Sequence, residues 1–180
     1  MASVNIQESQ DWRPNAPLPL IDEIVAHAGD IVLTPVSAIE NIVDDITSVW
    51  VDKSQLTRLM QIVRYDLAKP FAMCFDITAI DESKRSYKAS HVSDFTVSYH
   101  LTSFERNLDL RIKVALSKAD KTLASVCAFW PNANWYEREI WDMFGIVFDN
   151  HPFLTRILMP PTWQGHPLLK THPARATEMD

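Results

Sequence analysis

Apolar residues in the middle of this chain follow two periods, and the switches between them outline a fold. Leu56, Leu59, Met60, Val63 and Leu67 recur at three- and four-residue intervals, which predicts an amphipathic helix over roughly 53–67. Phe95, Val97, Tyr99 and Leu101 alternate strictly, as do Leu110, Ile112, Val114 and Leu116, so both runs predict strands. The short polar stretch Glu105–Asp109 between them suits a hairpin. Thr96, Ser98 and His100 share the opposite face of the first strand, and Arg111 and Lys113 that of the second. That face is expected to be wet or covered by a partner. Ile31–Ile39, Ile46–Val51 and Phe71–Ile80 read as further strands. Thr122 is placed to cap a short helix through about Phe129, which Pro131 would end. The order helix, two strands, helix, three strands, two helices predicts an α+β domain, its mixed or antiparallel sheet covered by helices.

The last predicted helix carries the most information. Asn134 can cap it, with Glu137 three residues on in the position of a capping box, and Gly145 supplies the stop. Tyr136, Ile140, Met143 and Phe144 form one apolar stripe, while Trp135, Arg138, Glu139 and Asp142 fall on the other side. Arg138 and Asp142, four apart, can pair. Trp135, Tyr136, Trp141 and Phe144 together exceed what one core-facing stripe can bury, and aromatics mixed with charges are what a protein–protein interface needs.

Beyond Gly145 the prolines at 152, 160, 161, 167 and 173 rule out a long helix. The stretch reads as an extended arm whose Phe153, Leu154, Ile157, Leu158, Trp163 and Leu168 need the domain surface or a partner to lie on. The expected layout is a flexible lead-in over 1–17, an α+β domain over 18–148, and a Pro-rich arm over 149–180 that docks on a partner subunit.

Composition removes several alternatives. The 180 residues suffice for one domain with a real core, and 23 acids against 17 bases give a formal net charge of −6. Nucleic-acid binding needs clustered cations, and the sequence has no such cluster. Three glycines could hardly supply a phosphate-cradling loop, and no GxGxxG or P-loop spacing occurs. The apolar runs fall short of the roughly 20 residues of a membrane helix, and the N-terminus lacks signal-peptide character. Cys74 and Cys127, widely separated, fit reduced thiols of a cytoplasmic protein, not a disulfide framework or cluster ligands.

Two catalytic readings can be weighed on spacing alone. His151, His166 and His172 could be imagined as metal ligands beside Asp149 or Asp142, but the spacings match no zinc or iron pattern. Glu137 and Glu139, two apart on a helix, point about 200° apart and cannot converge on one substrate. No Ser/Cys–His–Asp arrangement has a signal. No catalytic, cofactor-binding or metal-binding residue is therefore assigned.

The run Glu137-Arg138-Glu139-Ile140-Trp141-Asp142-Met143-Phe144-Gly145, with His151-Pro152, Arg156-Ile157-Leu158, Trp163 and Gly165-His166-Pro167-Leu168, resembles the signature of the complex I 30 kDa (C) subunit family. The phrase Trp130 to Tyr136 before it, and the strand sequences DFTVSYHL and LRIKVAL, are similar to that family too, so the likeness covers roughly 30–175. The resemblance implies a non-redox structural subunit of the peripheral arm of proton-translocating NADH:quinone oxidoreductase, on the cytoplasmic face of the bacterial membrane. It implies that the chain supports the 49 kDa (D) subunit, which holds the quinone site, and lies near cluster-bearing subunits. NADH, FMN, iron–sulfur clusters and quinone would belong to the rest of the complex, with no cofactor in this chain. Glu137, Arg138, Glu139, Asp142, Gly145, His151 and Arg156 are the signature positions, assigned to structure and docking. The homologous adaptor of membrane-bound hydrogenase-type complexes is the alternative. Leu169 and Thr171 stand where the family usually has Arg and Asp, so the arm's contacts are expected to differ there. The ending Pro173 to Glu178 resembles the junction of fused C/D subunits, so the chain is expected to be either the C portion of such a fusion or a stand-alone subunit.

Overall fold

The computed structural model describes residues 18–29, 31, 33–35, 46–86 and 93–173. The lead-in, the second half of the strand expected at Ile31–Ile39, and the fusion-like ending from Ala174 onward lie outside them.

Helix α1 (Leu18–Ala28) buries Leu20, Ile24 and Ala28, one residue per turn at four-residue spacing. Gly29 ends it at φ 58°, its N–H returning to the Val25 carbonyl. Strands β1 (Leu33–Pro35), β2 (Thr47–Val51), β3 (Met73–Asp81), β4 (Phe95–Ser103) and β5 (Leu108–Leu116) form one mixed sheet in the order β1-β2-β5-β4-β3. Only the β2–β5 pair is parallel. Between β2 and β3 runs helix α2 (Leu56–Gln61), and all five of the periodic apolar residues in this region are buried. The single helix expected over 53–67 is in fact three segments. A 3-10 turn (Lys53–Gln55), capped by the Asp52 carboxylate on Ser54, precedes α2, and a π turn (Ile62–Asp66) follows it.

The two alternating strands meet in register, with Leu101 opposite Leu110, Tyr99 opposite Ile112, Val97 opposite Val114 and Phe95 opposite Leu116. All eight are buried, in one hydrophobic cluster with residues of α1, α2 and the helix Ala133–Phe144, and this cluster is the core. The opposite face is less wet than expected, since Thr96 and Ser98 are themselves buried. Lys113 lies opposite Ser98 and carries its ammonium over the Trp50 ring, 5.3 Å from the centroid, so long side chains roof the middle of this face.

The helix expected from Thr122 does not form. Thr122–Ala124 is strand β6, paired in parallel with β7 (Val147–Asp149), and the chain then turns tightly, Phe129 N–H to the Val126 carbonyl. A partner strand more than 20 positions away outweighs the local capping signal. Helix α3 (Ala133–Phe144) packs against β3 at a bulge between Cys74 and Asp76. The bulge leaves edge carbonyls free for side chains near the helix start. Trp130 Nε1 donates to Phe71 O, Asn132 Nδ2 to Cys74 O and Tyr136 Oη to Phe75 O. From Asn150 to Pro173 the chain is an arm of turns and bends laid along α3.

Candidate functional site

Four of the signature residues, Arg138, Asp142, Gly145 and Arg156, build one structure, the anchorage of the arm on α3. Asp142, expected on the open side of the helix, is fully buried because the arm crosses over it. Its Oδ2 accepts the backbone N–H groups of three consecutive residues, Ile157 (3.0 Å), Leu158 (2.9 Å) and Met159 (2.9 Å), and its Oδ1 pairs with Arg156. Burial alone would raise this carboxyl. The Met159 N–H, the Arg156 guanidinium and the Ile157 and Leu158 N–H groups outweigh it and hold the group below the usual carboxylate range. Arg156 also donates to the Gly165 carbonyl at 2.9 Å, closing a loop of the arm upon itself.

The expected Arg138–Asp142 pair is therefore not formed. Arg138 grips the arm's backbone instead, through Nε to Thr155 O (3.0 Å) and Nη2 to Arg156 O (3.1 Å). Its guanidinium lies 5.2 Å from the Trp135 ring centroid and 5.7 Å from that of Phe153. Arginine suits this place because one planar group serves two carbonyls and two rings.

At the other end of α3 the orphan carbonyls find partners. Gly145 N–H returns to Trp141 O, His166 Nδ1 and Arg156 reach Asp142 O, Leu168 N–H bonds Met143 O, and Lys121 Nζ bonds Phe144 O. Gly145 is required twice over. It sits at φ 69°, and a Cβ there would lie 2.7 Å from the His166 ring.

The capping box read from Asn134 and Glu137 is absent. The helix starts at Ala133, and its N-cap Asn132 makes no side-chain cap bond. Glu137 instead turns into the protein, fully buried. Its Oε1 accepts from Val126 N–H (2.7 Å), and its Oε2 from Ser125 Oγ (2.6 Å) and Cys127 Sγ (3.3 Å). Burial pushes this carboxyl up, and those donors offset it only in part. His151 Nε2 stands 3.9 Å from Glu137 Oε2 and 3.3 Å from the Asn134 carbonyl. The Phe153 N–H donates to His151 Nδ1, which places the ring proton on Nε2, toward that carbonyl. Burial, and behind it the positive Arg138, pushes the imidazole down. Glu139 is not buried with Glu137, so the two glutamates diverge as helix geometry requires.

Cys127, Glu137 and His151 place their donor atoms within 4.8 Å of one another. Sequence reasoning misses Ser125, Val126 and Cys127, since nothing in their spacing ties them to Glu137. As arranged, the group is a closed hydrogen-bond cluster. The His151 nitrogen facing Glu137 carries its proton, and burial raises the Cys127 thiol to about 11, so hydrogen bonds to Glu137 and the backbone hold the group together. His166 and His172 are not brought near it. The first packs against Gly145 and Trp141, and the second stacks on Trp163.

What the anchorage leaves outside is apolar. Trp135, Phe153, Leu158 and Leu168 are 60%, 63%, 58% and 51% exposed along α3 and the arm. The arm is bonded to its own domain, and these groups are not buried by it.

Known proteins resemble this chain in sequence and in fold. The C/D subunit of NADH-quinone oxidoreductase from Psychrobacter cryohalolentis is 56% identical over 141 residues, covering 78% of this chain and 24% of that protein. The C/D subunit of the same enzyme from Aeromonas hydrophila is 48% identical over 172 residues, covering 94% of this chain and 28% of that one. The chain thus spans about a quarter of the length of these relatives. A trypsin-resistant fragment (1-134) of Nqo5 shares the fold at a TM-score of 0.60 and 24% identity, over 77% of this chain and 100% of that one. A chain of the membrane-bound sulfane sulfur reductase, an archaeal respiratory membrane complex, shares it at 0.53 and 18%, over 74% and 71%. Residues 49–178 match the family described as respiratory-chain NADH dehydrogenase, 30 Kd subunit, and the chain belongs to that family.

Proposed function

We propose that this chain is a non-redox structural and assembly subunit of the peripheral arm of a proton-translocating NADH:quinone oxidoreductase. In this reading it supports the 49 kDa (D) region, where the quinone site lies, while electrons pass from NADH through FMN and iron–sulfur clusters held by other subunits. The observation that carries the reading is the fixed arm. Asp142, Arg138 and Arg156 immobilise it through its backbone, and Trp135 of α3 and Phe153 of the arm face outward. A surface ordered before contact loses less conformational entropy on binding, and aromatics flanking an arginine are the usual centres of interface energy. The relatives whose names join C and D are about four times as long as the stretch they share with this chain, which supports placing a D region beside the arm.

The chain's contribution is then positional, because electron transfer and quinone access depend on neighbours held at fixed separation. Among the described residues no helix is long and apolar enough to cross a membrane, which suits a peripheral subunit on the cytoplasmic face. A second reading, an adaptor of a membrane-bound hydrogenase-type complex, draws on the fold shared with the sulfane sulfur reductase chain. The identity of 48–56% to oxidoreductase subunits favours the first. A neighbouring large subunit with nickel-binding cysteines would favour the second. The test is Trp135→Ala with Phe153→Ala in the intact complex. Assembled complex and quinone reductase activity should fall together, with turnover per assembled complex unchanged. Full assembly with poor turnover, or a redox absorption band in the purified chain, would refute a structural role.

A further inference from the structure

At the C-terminal end of α3, opposite the Trp135 and Phe153 end, the edge of the main sheet, the β5–β6 turn and the arm enclose a cleft of about 240 Å3. Lys84, Lys118 and Lys121 stand in its walls, and Phe95 and Leu169 give it an apolar lining. Three lysines thus line one cleft in a chain whose formal net charge is −6. Lys121 is fixed, since Nζ donates to the Phe144 carbonyl and lies 5.4 Å from the Phe95 ring centroid. Lys84 and Lys118 are exposed, and among the described residues neither ammonium is held in an ion pair. The one carboxylate in the wall, Asp81, already has both oxygens on backbone N–H groups, those of Ser83 and Lys170. Asp81 keeps its charge, and Asp94 accepts the Lys118 N–H beside the cleft, but among the lining residues three lysines stand against one carboxylate.

We propose that this cleft is a second docking point, which receives a carboxylate-bearing segment of a neighbouring subunit between Lys84, Lys118 and Lys121. The inference rests on reading the chain as a subunit of a larger complex. The cleft is smaller than the roughly 300–1,000 Å3 of most small-molecule sites, and its size suits one or two acidic side chains. Lysines are depleted from the cores of interfaces and belong at their rims, where complementary charge sets register and speeds encounter. The cleft accordingly complements the exposed rings of Trp135 and Phe153 at the other end of α3.

Zero-length carbodiimide crosslinking of the intact complex, read by mass spectrometry, tests this. Lys84 or Lys118 should form an amide with an Asp or Glu of a neighbouring subunit, and Lys84→Gln with Lys118→Gln should abolish that product. Lys84→Glu with Lys118→Glu should lower by about two-fold the salt concentration at which the complex dissociates, and the paired Arg variants should not. Crosslinks of these lysines confined to the 180 residues of this chain, or a charge-reversed complex as salt-resistant as the parent, would overturn the proposal. Loss of assembly in the Trp135→Ala, Phe153→Ala protein, with the charge-reversed complex as salt-resistant as the parent, would reject the cleft and keep the aromatic surface. Loss in the charge-reversed protein alone would do the opposite.

Discussion

Replacing Asp142 by Ala tests the anchorage directly. The substitution removes the acceptor of three backbone N–H groups and leaves the Arg156 guanidinium, 15% exposed, without its carboxylate. Each charged hydrogen bond is worth about 1.5–3 kcal/mol, but the four share one acceptor group and do not add. Removing one member of a buried pair costs about 3–5 kcal/mol, which is the better guide. If the whole domain carries that cost, the melting temperature falls by about 6–20 °C. If the arm detaches while the sheet stays folded, the cost appears locally, as a roughly 100-fold or greater loss of hydrogen-exchange protection at Ile157, Leu158 and Met159. Exchange at these three amides, followed alongside thermal unfolding, reads both outcomes. The pH dependence gives an independent check of sign. A carboxyl whose folded value is depressed contributes stability in full above its unfolded value of about 3.9, and loses it as pH falls through the folded value. Arm protection in the parent should therefore collapse on acidification below that region, and the variant should lack this step. Exchange within three-fold of the parent together with an unchanged melting temperature would refute the anchor.

Other outcomes follow from the same geometry. Gly145→Ala should destabilise by about 1–3 kcal/mol in urea unfolding, from the positive φ and the clash with His166, and His166→Ala should recover part of the loss. Glu137 should show the opposite pH sign to Asp142. Its folded value is raised, so its contribution is full below the unfolded value of about 4.3 and is lost as pH rises through the folded one. Unfolding free energy measured against pH should therefore fall across that window in the parent and stay flatter in Glu137→Gln. Arg138→Ala should lower assembled complex and activity in parallel, and Arg138→Lys should not restore them, because an ammonium cannot serve two carbonyls and two rings at once. Burial raises the Cys74 thiol to about 12 and that of Cys127 to about 11, so both should resist a thiol reagent at pH 8 until denaturant is added.

Strand and helix periodicity is legible wherever burial is one-sided. Phe95 to Leu101 and Leu110 to Leu116 declare their face every second residue, and the structure pairs them directly. The errors fall where distant chain decides. Thr122 reads as a cap because its partner, Val147, lies beyond a whole helix in sequence. Asn134 and Glu137 have capping-box spacing, but Ser125, Val126 and Cys127 offer Glu137 three donors that a helix terminus cannot match. Asp142 reads as exposed on the wheel because the arm that covers it has no periodicity to announce its path. Gly145 is legible from local chemistry as a helix stop, yet its spacing gives no sign that the His166 ring makes glycine necessary there.

The mixture of rings and charges in α3 follows from the number of surfaces this helix must serve. A helix packed on one sheet needs a single apolar stripe and can leave its remaining side to solvent. Here Ala133 and Ile140 meet the domain core, Glu137 satisfies the turn after β6, and Arg138 with Asp142 holds the arm. Trp135 is left facing outward. Asp142 is the case that separates this account from a merely solvated polar side. A solvated carboxylate would gain little from three backbone amides, because water supplies the same bonds. Beneath a covering arm those amides have no other acceptor, and the arm's course depends on one side chain. An arm fixed in this way can carry exposed rings without collapsing onto them, which is the condition for presenting them to a neighbour.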